Sequence, residues 1–318
     1  MLLAPNRISI LGMVDPSLIF VTGGAGFIGR HVRSALQAAD KDVISVDHRS
    51  QSQTQDETSH QCDLTDAQRL HTIFSSASRP VGAIAHLAST LRTASEQDPK
   101  RATEVNILGT LNVLEAARTF RISRVVFASS VSIYGSKPAE DEICETDYTA
   151  PEDMYGAAKK YIEVLGNAYR QNYGIEFVTL RIPIVVGSGP GTPTSAWRTD
   201  LLNALGEQRQ REILIPFRAD ETLSIVHVRD LANAVSMLLT APVTAHSTYN
   251  APCEVWRLPD LKKEVESLNA QVCVTFGDRA VSGFPRRLNC DRFKSEFRFV
   301  SNLSKHLHQA AQVRSASL

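Results

Sequence analysis

The sequence has 318 residues, of which 43% are hydrophobic and 21% charged, values that are ordinary for a soluble globular chain with a sizeable core. Lysine plus arginine and aspartate plus glutamate number 34 each, so no overall basic field favours nucleic acid or an anionic membrane as a partner. The five cysteines are odd in number, far apart and without a C-x-x-C pair, which argues against a disulfide framework and a zinc site and favours the reducing cytoplasm.

The first residues, 1–17, are predicted to be a loose extension ahead of the first strand. Pro5, Asp15 and Pro16 interrupt the apolar pieces of this segment, so we do not expect a signal peptide. No run in the chain approaches the roughly 20 apolar residues that a membrane-spanning helix needs.

Short apolar strands alternate with helices in the first part of the chain. Hydrophobic periodicity predicts, in order, a strand over 18–23, a helix over 27–38, strands over 42–47 and 83–89, a helix over about 99–119, a strand over 124–130, a helix over 154–173 and a strand over 175–183. This alternation is typical of βαβ units, in which helices cover both faces of a parallel sheet. We therefore expect an α/β fold with a doubly wound parallel sheet.

After Pro183 the pattern is less regular. We expect a loop rich in Gly and Pro over 185–197, a helix over about 196–205, a strand leading into a helix within 224–239, a last sheet strand over 247–252 and shorter elements to a frayed end. The predicted division is a main domain over 18–184 plus 224–252 and a smaller lobe over 185–223 and 253–318.

Three glycines at three-residue spacing, Gly23, Gly26 and Gly29, join the first strand to the first helix. This is the pattern of a dinucleotide-binding turn, in which the glycines permit a tight turn, a close approach to the pyrophosphate and close packing of helix on strand. The N–H groups at the start of the helix, at Phe27 and Ile28, would then face the phosphates. The alternative is a plain turn between packed elements, and the following residues favour the dinucleotide.

An acidic residue, Asp47, ends the second strand, where a carboxylate would accept hydrogen bonds from the adenosine ribose hydroxyls. Since an acid there repels a 2′-phosphate, NAD is favoured over NADP, although Arg49 could blunt the preference. Asp63 lies where a loop could reach the adenine. Its alternative role is a helix cap before Asp66.

Tyr155 and Lys159 lie four positions apart, so both occupy one face of a predicted helix. A nearby ammonium favours the phenolate, and we therefore expect Lys159 to lower the pKa of Tyr155 from about 10 towards neutrality. Such a tyrosine can give or take the proton of an alcohol while a nicotinamide exchanges the hydride. Lysine can also hold the nicotinamide ribose. The alternative for the pair is a solvated helix face.

A hydroxyl at the end of a predicted strand supports the catalytic interpretation. Ser130 ends the strand over 124–130, at the edge of a parallel sheet where ligands bind. From there it can hydrogen-bond and polarise a substrate oxygen. Alternatively, Ser129 and Ser130 are a pair of turn or cap serines.

The order of these motifs resembles the extended short-chain dehydrogenase/reductase family, and within it the NAD-dependent epimerase/dehydratase branch. The segments that carry the resemblance are TGGAGFIG (22–29), the strand that ends at Asp47, HLAS (86–89), DPKRATEVNILGTLNVLEAAR (98–118), SSVSIYG (129–135) and YGAAK (155–159). The resemblance is dense from about 18 to 187, looser to about 252 and faint beyond. It implies a Rossmann-type fold with a smaller C-terminal substrate lobe and the substrate in the cleft between them.

The resemblance also implies roles for single positions. Ser130, Tyr155 and Lys159 match the catalytic Ser/Thr, Tyr and Lys of the family, and Asn106 matches an Asn that supports the active site, unless it merely bonds across helices. His86 is expected to pack or bond locally. The implied cofactor-contacting positions are Gly23, Gly26, Phe27, Ile28, Gly29, Asp47, Asp63, Leu64, Leu87, Ala88, Tyr155, Lys159 and Pro183.

The candidates for substrate contact are Ser132, Arg181, His227 and Arg287. For Arg181 we favour the alternative of a structural ion pair. His227 and its neighbour Arg229 match positions where family members contact substrate phosphate or anchor a loop. The diphosphate-binding arginine that nucleotide-sugar enzymes usually show is not obvious here, and Arg218 or Arg287 could substitute for it.

The residues that follow Ser130 are Val131 and Ser132, where the sugar 4,6-dehydratases of the family carry Asp-Glu, so that reaction is disfavoured. An epimerase acting on a sugar or nucleotide sugar is favoured slightly over a dehydrogenase of a sugar acid, polyol or amino alcohol. The loop over 187–194 resembles family members of the second kind. A non-catalytic dinucleotide-binding sensor or scaffold is the alternative of another class, and the intact Ser-Tyr-Lys set argues against it.

Two long helices, near 99–119 and 153–172, resemble the pair through which family members dimerise. A homodimer is therefore expected. The other expected partners are NAD and a small sugar-type substrate, without a metal ion, nucleic acid or membrane.

Overall fold

The computed structural model describes residues 18–49, 58–189 and 195–313. The extension predicted over 1–17, the end of the chain from 314 and the 190–194 part of the predicted loop lie outside the described residues.

The strands, in chain order, are β1 (Leu18–Thr22), β2 (Asp42–Asp47), β3 (Ser59–Gln61), β4 (Ala83–His86), β5 (Arg124–Ser130), β6 (Glu142–Ile143), β7 (Glu176–Ile182), β8 (Ile184–Val186), β9 (Arg211–Phe217), β10 (Thr222–His227), β11 (Thr248–Asn250), β12 (Glu254–Arg257), β13 (Val272–Arg279) and β14 (Arg287–Leu288). The α-helices are α1 (Phe27–Ala38), α2 (Ala67–Ser75), α3 (Arg92–Gln97), α4 (Pro99–Thr103), α5 (Gly109–Thr119), α6 (Met154–Tyr173), α7 (Trp197–Asn203), α8 (Val228–Thr240), α9 (Leu258–Leu268), α10 (Asp291–Phe297) and α11 (Leu303–Val313). A π-helical turn, Glu104–Leu108, joins α4 to α5, and short 3₁₀ turns span Val131–Tyr134 and Ala204–Gly206.

The main sheet has seven strands in the order β11-β7-β5-β4-β1-β2-β3. Every neighbouring pair runs parallel. Going outward from β1, the chain order of the strands reverses between β1 and β4, which is the topological switch point of a doubly wound sheet. The parallel α/β sheet expected from the alternation of strands and helices is therefore confirmed.

Both faces of the sheet are covered. Along β1, Ile19 and Val21 join a core that contains residues of α1 and α8, whereas Leu18 and Phe20 join a second core that contains residues of α2, α5 and α6. Successive residues of a strand point to opposite faces, so a nearly continuous apolar run is needed when both faces are buried. This requirement explains why "LIFV" carries no polar residue.

Three smaller sheets lie outside the main one. They are the three-stranded sheet β12-β10-β8 and the pairs β13-β9 and β14-β6. A third apolar core, which runs from Ile184 to Leu307 and includes Trp197 of α7, packs around the first two of them. The segment 224–252 was assigned to the main domain. Its strand β11 joins the main sheet, whereas β10 pairs with β8 in a smaller sheet. The division into domains therefore stays a prediction.

The predicted helix over 99–119 is interrupted by the π-helical turn at Glu104–Leu108. Asn106 lies in this turn, and its side chain bonds to the loop after β4 instead of facing solvent. Such single wide turns are frequent at functional sites. The strand predicted over 83–89 ends at His86, because the N–H groups of Leu87 and Ala88 turn towards the Thr22 hydroxyl.

Within the described ranges, no helix combines the length and the apolar character that crossing a membrane requires.

Candidate active site at the carboxyl edge of the sheet

The glycine loop between β1 and α1 is closely packed at two of its glycines. Gly23 has φ +70, and a Cβ there would lie 2.8 Å from the Ala88 nitrogen. A Cβ on Gly29 would lie 2.1 Å from the Gly23 carbonyl oxygen. The first glycine therefore permits the turn, and the third lets α1 approach it, as the roles of these positions require.

The second glycine leaves an open concave surface. A Cβ on Gly26 would meet the Gly23 carbonyl at 3.0 Å and otherwise only the Arg49 guanidinium, at 3.8 Å. Gly26 is also the N-cap of α1, and no side chain caps this helix end. The first N–H groups of a helix have no acceptors within it and attract anions. The loop thus fits a pyrophosphate, with Phe27 and Ile28 in the first turn.

Asp47, at the end of β2, is buried against the glycine loop. One of its carboxylate oxygens accepts the Ala25 N–H at 3.1 Å. The other accepts the backbone N–H of Arg49 at 3.1 Å and its Nε at 3.2 Å. Asp47 therefore holds the loop in place, and Arg49 lies directly beside the acid that is expected to select the cofactor.

The Asp63 carboxylate stabilises the turn that leads to Thr65 and does not cap α2. It accepts the backbone N–H of Thr65 at 3.0 Å and its hydroxyl at 2.8 Å, and it also pairs with Arg101. Burial alone would raise the pKa of Asp63, but these bonds outweigh it and the pKa is lowered. The N-cap of α2 is Asp66. Leu64, next to Asp63, is buried.

Ser130, Tyr155 and Lys159 come together where β5 and the start of α6 meet. The Asp153 carboxylate accepts the Gly156 N–H at 2.7 Å and so starts α6 directly before Tyr155. The Tyr155 hydroxyl interacts with the Ser130 side chain. The Lys159 ammonium donates to the Ala128 carbonyl at 2.7 Å and lies 5.5 Å from the centroid of the Tyr155 ring.

The ionisation of this trio differs from the sequence-based expectation. Burial raises the pKa of Tyr155 to about 12, although the Ser130 hydrogen bond lowers it. Burial likewise lowers the pKa of Lys159 to about 7. A lysine that is itself desolvated and engaged with Ala128 does not supply the full positive charge that was expected to favour the phenolate. In the protein alone, Tyr155 thus stays protonated at neutral pH.

Asn106 and His86 organise the loop that follows β4. The Asn106 side chain accepts the Thr90 N–H at 2.7 Å and the Ser89 hydroxyl at 3.0 Å, and it donates to the Thr90 carbonyl at 3.0 Å. The buried His86 ring bonds the hydroxyls of Thr22 at 2.7 Å and Thr110 at 2.8 Å. Both side chains therefore act on the shape of the loop.

This loop lies against the glycine turn. The Thr22 hydroxyl accepts the N–H groups of Leu87 and Ala88 at 3.1 and 3.2 Å. Pro183 is buried between β7 and β8, at the same edge of the sheet. Most of the expected cofactor-contacting positions thus lie along one edge, at or just after the carboxyl ends of β1, β2, β3, β4 and β7.

Ser132 lies next to the trio. It is buried, and its Oγ lies 3.2 Å from that of Ser130 while its N–H donates to the same oxygen at 3.2 Å. Arg181, in contrast, has its guanidinium occupied by Glu163, the Tyr134 hydroxyl and the Glu145 carbonyl. Because this network holds the guanidinium within the protein, we do not assign it to the substrate.

The remaining substrate candidates lie further along the chain. His227 is buried at the N-cap of α8, where its Nδ1 accepts the Arg229 N–H at 3.2 Å. Burial and the neighbouring His306 lower its pKa to about 3, so the ring is neutral. Arg287 lies in β14, opposite Glu142 of β6.

Arg218 faces acids of its own chain. Its guanidinium donates to Asp220 at 3.1 Å and to Glu221 at 3.3 Å. It is therefore less suited to a diphosphate than Arg287.

In the three described ranges, no group of His, Cys, Asp or Glu side chains could hold a metal ion.

Arg198, in α7, is a side chain that the sequence analysis did not single out. It interacts electrostatically with Tyr155, and its Nε is buried without a hydrogen-bond partner in the structure as described. The segment "SAWRT" leads into the helix predicted over about 196–205, but no motif marks its arginine. Only the folded arrangement brings it to the reacting tyrosine.

Known proteins are similar to this chain over the segments that form the site. A model of the NAD dependent epimerase/dehydratase family matches residues 19–251, a range that contains the glycine loop, Ser130 and α6. UDP-glucose 4-epimerase of Halalkalibacterium halodurans is 31% identical over 232 residues, which cover 68% of this chain and 69% of that relative. D-erythronate dehydrogenase of Haemophilus influenzae is 28% identical over 183 residues, which cover 56% of this chain and 58% of that relative.

The fold has a close solved counterpart. The structure of Thermus thermophilus UDP-glucose 4-epimerase in complex with NAD has a TM-score of 0.76 and 24% identity, covering 95% of this chain and 100% of that one. The Rossmann-type architecture is therefore shared along most of the chain.

The low pKa of Lys159 gives a testable pH dependence in the cofactor-free protein. Between about pH 7 and 10.5 the unfolded chain binds a proton at this lysine that the folded protein does not. The free energy of unfolding should therefore rise with pH in that window, by up to about 1.4 kcal/mol per pH unit from this group. Below the window both states bind the proton, and above it neither does. Lys159→Met should remove this contribution, measured by chemical denaturation at a series of pH values.

Lys160→Met is the matched control, since this neighbouring lysine is only partly buried. It should keep the wild-type pH slope. An identical slope in wild type and Lys159→Met would contradict the assigned ionisation.

Proposed function

The chain belongs to the NAD dependent epimerase/dehydratase family, and we propose that it transfers a hydride at a carbinol or keto carbon of a sugar-type substrate. The observation that carries this proposal is the meeting of Ser130, Tyr155 and Lys159 at the edge of the sheet, beside the glycine loop. Enzymes of this family are NAD-dependent epimerases and dehydrogenases, and the trio is what both reactions require.

NAD, when bound, supplies the hydride acceptor and donor. We propose that the glycine loop and the start of α1 hold its pyrophosphate, that Asp47 holds the adenosine ribose, and that the loop at Leu87 and Ala88 lines its path to Tyr155. The open surface at Gly26 and the uncapped helix end support this arrangement. Asp63, Leu64 and Pro183 complete the proposed contacts.

The roles of the trio follow from their chemistry. The Ser130 hydroxyl is placed to hydrogen-bond the substrate oxygen, while the Tyr155 hydroxyl carries the proton that moves to or from it. A protonated Tyr155 is ready to donate to a ketone oxygen, which is the reducing direction. In the oxidising direction the phenolate needs positive charge nearby, which Lys159 supplies in its protonated form. Asn106 acts as a positioning residue through the loop at Thr90.

Elimination of water needs an additional acid and base beside the hydroxyl. The residues at these positions are Val131 and Ser132, which form a buried 3₁₀ turn. Neither side chain can serve as a carboxylic acid or carboxylate base. We therefore propose that the reaction isn't a 4,6-dehydration.

An epimerase is our first candidate, and its support is the UDP-glucose 4-epimerase relative. A dehydrogenase of a sugar acid is the second, supported by the D-erythronate dehydrogenase relative. The internal pairing of Arg218 also favours the second, because it removes one of the two arginines proposed for a diphosphate. A purely dinucleotide-binding sensor would not need all three members of the trio.

NAD is proposed over NADP because Asp47 is buried and faces the loop. A second negative charge, on a 2′-phosphate, would lie close to this carboxylate. Arg49 offsets part of that repulsion, since it pairs with the same carboxylate.

A homodimer is proposed from apolar side chains on two neighbouring helical segments. Leu108, Tyr161 and Val164 are half or more exposed, in the π-helical turn before α5 and in α6. Large apolar side chains clustered at a surface mark protein contacts, and a second copy of the chain would cover them.

The cysteine pattern supports a cytoplasmic location, which cell fractionation would check directly.

Replacement of Tyr155 by Phe removes the proton-carrying hydroxyl and keeps the ring. Turnover should fall by at least about 100-fold, because general acid–base catalysis typically contributes that much or more, while NAD binding should stay unchanged. Absorbance of the reduced cofactor is followed with NAD and D-erythronate, and conversion of UDP-glucose or UDP-glucuronate to its epimer is followed by chromatography. Tyr161→Phe, on the exposed side of the same helix, is the matched control, and unchanged turnover in Tyr155→Phe would refute the assignment.

The same purified protein separates the two candidates. It is dialysed and denatured, and the released dinucleotide is measured. NAD retained at near one per chain supports an epimerase, which returns the hydride to the same substrate. A protein that is empty but binds added NAD supports a dehydrogenase, and one that binds neither NAD nor NADP contradicts the whole proposal.

Asp47→Ala should shift the cofactor preference towards NADP. Loss of the carboxylate removes the repulsion of a 2′-phosphate and frees Arg49, so the ratio of NADP to NAD dissociation constants should fall by at least about tenfold. Titration calorimetry with both dinucleotides measures it. Asp42→Ala, at the exposed start of the same strand, is the control. A ratio equal to that of the wild type would count against the ribose role.

Val164→Glu should separate the proposed dimer, because it places a charge in an apolar contact. Light scattering should then give the mass of one chain, 34.9 kDa, whereas the wild type gives twice that mass. Val243→Glu, at an exposed position in the loop after α8, should leave the mass unchanged. A wild type with the mass of one chain would show that the dimer is wrong.

A further inference from the structure

The side chain of Arg198 lies at the edge where the substrate is expected. Its backbone carbonyl accepts the Gly187 N–H at 3.1 Å, which fixes the start of α7 to the end of β8. Gly187 in turn lies beside the ring of Phe27, at the start of α1. Arg198 and Tyr155 interact electrostatically, so the guanidinium and the reacting hydroxyl belong to one site.

Among the described residues, no acidic group forms an ion pair with this guanidinium. In the residues that the structure describes, the Arg198 side chain makes no hydrogen bond or ion pair, and its Nε is buried without a partner. The guanidinium carbon lies 5.8 Å from the centroid of the Trp197 ring, which is a cation–π contact. Burial lowers the pKa of Arg198, and Tyr155 is the group that raises it. A guanidinium nevertheless keeps its proton.

Other buried arginines of this protein have carboxylate partners. Arg124 pairs with Glu176 at 2.6 Å, and Arg181 pairs with Glu163 at 2.8 Å. The partly buried Arg286 pairs with Glu221 at 2.6 Å. Because an uncompensated charge removed from water is costly, a cation without such a partner beside Tyr155 is best explained by a partner that arrives with the substrate.

We propose that Arg198 binds a carboxylate of the substrate, so that the enzyme acts on a hydroxy acid of the sugar type. The inference rests on the proposed hydride transfer at Tyr155, and it narrows the substrate to acids. The planar guanidinium matches a carboxylate through two parallel hydrogen bonds. Since Arg198 and Tyr155 influence each other electrostatically, we place this carboxylate near the reacting carbinol carbon.

This short reach favours a carboxylate over a diphosphate. In a nucleotide sugar the diphosphate is attached at C1, across the ring from C4, whereas the carboxylate of a uronate or aldonate is close to the carbinol carbons. Arg198 is thus assigned to the acid group of the reacting unit itself. A nucleotide carried by that unit would have to bind elsewhere, and Arg287 remains the candidate for it.

The test compares acids with their neutral counterparts. UDP-glucuronate is paired with UDP-glucose, and D-erythronate is paired with erythritol. Calorimetric binding to the NAD-loaded protein should favour at least one acid over its neutral partner by about 10- to 100-fold, the range expected for hydrogen bonds to a charged group. Arg198→Met should abolish this preference while NAD binding stays unchanged. Arg209→Met, an exposed arginine after α7, should keep it.

Stability gives a second readout that needs no ligand. Removing a partly buried cation that has no acidic partner among the described residues should leave the melting temperature of the cofactor-free Arg198→Met protein equal to or above that of the wild type. Arg181→Met should lower it, because that substitution leaves Glu163 buried without its partner. A lower melting temperature for Arg198→Met would mean that the arginine has a structural role, and would overturn the proposal.

The binding outcomes are equally decisive. A wild type that binds no acid of the set more tightly than its neutral partner, or an Arg198→Met variant that keeps the preference, overturns the proposal. Equal losses for UDP-glucose and UDP-glucuronate would assign Arg198 to the diphosphate instead. Because these failures concern the preference for an acid, they differ from failure of the hydride-transfer function, which shows as absent dinucleotide binding or unimpaired Tyr155→Phe turnover.

Discussion

The hydrogen-bonded imidazole of His86 holds together the edge of the sheet on which the site depends. The Thr110 hydroxyl donates to the Asn106 carbonyl at 2.5 Å, so it must accept from His86 Nε2. The other ring nitrogen, Nδ1, then accepts the proton of the Thr22 hydroxyl. The oxygen of Thr22 remains free to accept the N–H groups of the loop that follows β4.

This order of donors and acceptors requires a neutral ring. Burial, followed by the Lys159 charge, lowers the pKa of His86 to about 3, which preserves that state at any physiological pH. The ring therefore ties β1, β4 and the π-helical turn into one unit. The shape of the glycine loop and the position of Asn106 both follow from it.

The charges of the site are arranged differently from those of the rest of the fold. Arg124 and Arg181 join neighbouring elements through buried ion pairs, which leave no charge uncompensated. Lys159 and Arg198 lie near Tyr155 without an acid in direct contact, and burial lowers the pKa of both. Cations without an acidic partner beside a candidate catalytic tyrosine are typical of a binding site, because stability is lost there to the benefit of the ligand.

The architecture and the trio could be predicted from the sequence because both depend on local patterns. An apolar run such as "LIFV" must be buried on both sides, and helical spacing places Tyr155 and Lys159 on one face. The pKa of Tyr155 could not be predicted, since it depends on how deeply β5, α6 and α7 enclose the hydroxyl. Arg198 was missed for the same reason: the absence of a partner is a property of the packed structure and has no signature in the neighbouring residues.

The two parts of the site belong to different apolar cores. Ser130 and Lys159 are held by β5 and α6, whose packing involves the main sheet, whereas Arg198 is held by α7, which packs in the third core around the smaller sheets. A change in α7 can therefore alter which group is recognised beside the carbinol without moving the residues that transfer the proton. The arrangement proposed for Arg198 therefore allows one Ser-Tyr-Lys set to be combined with different substrate groups.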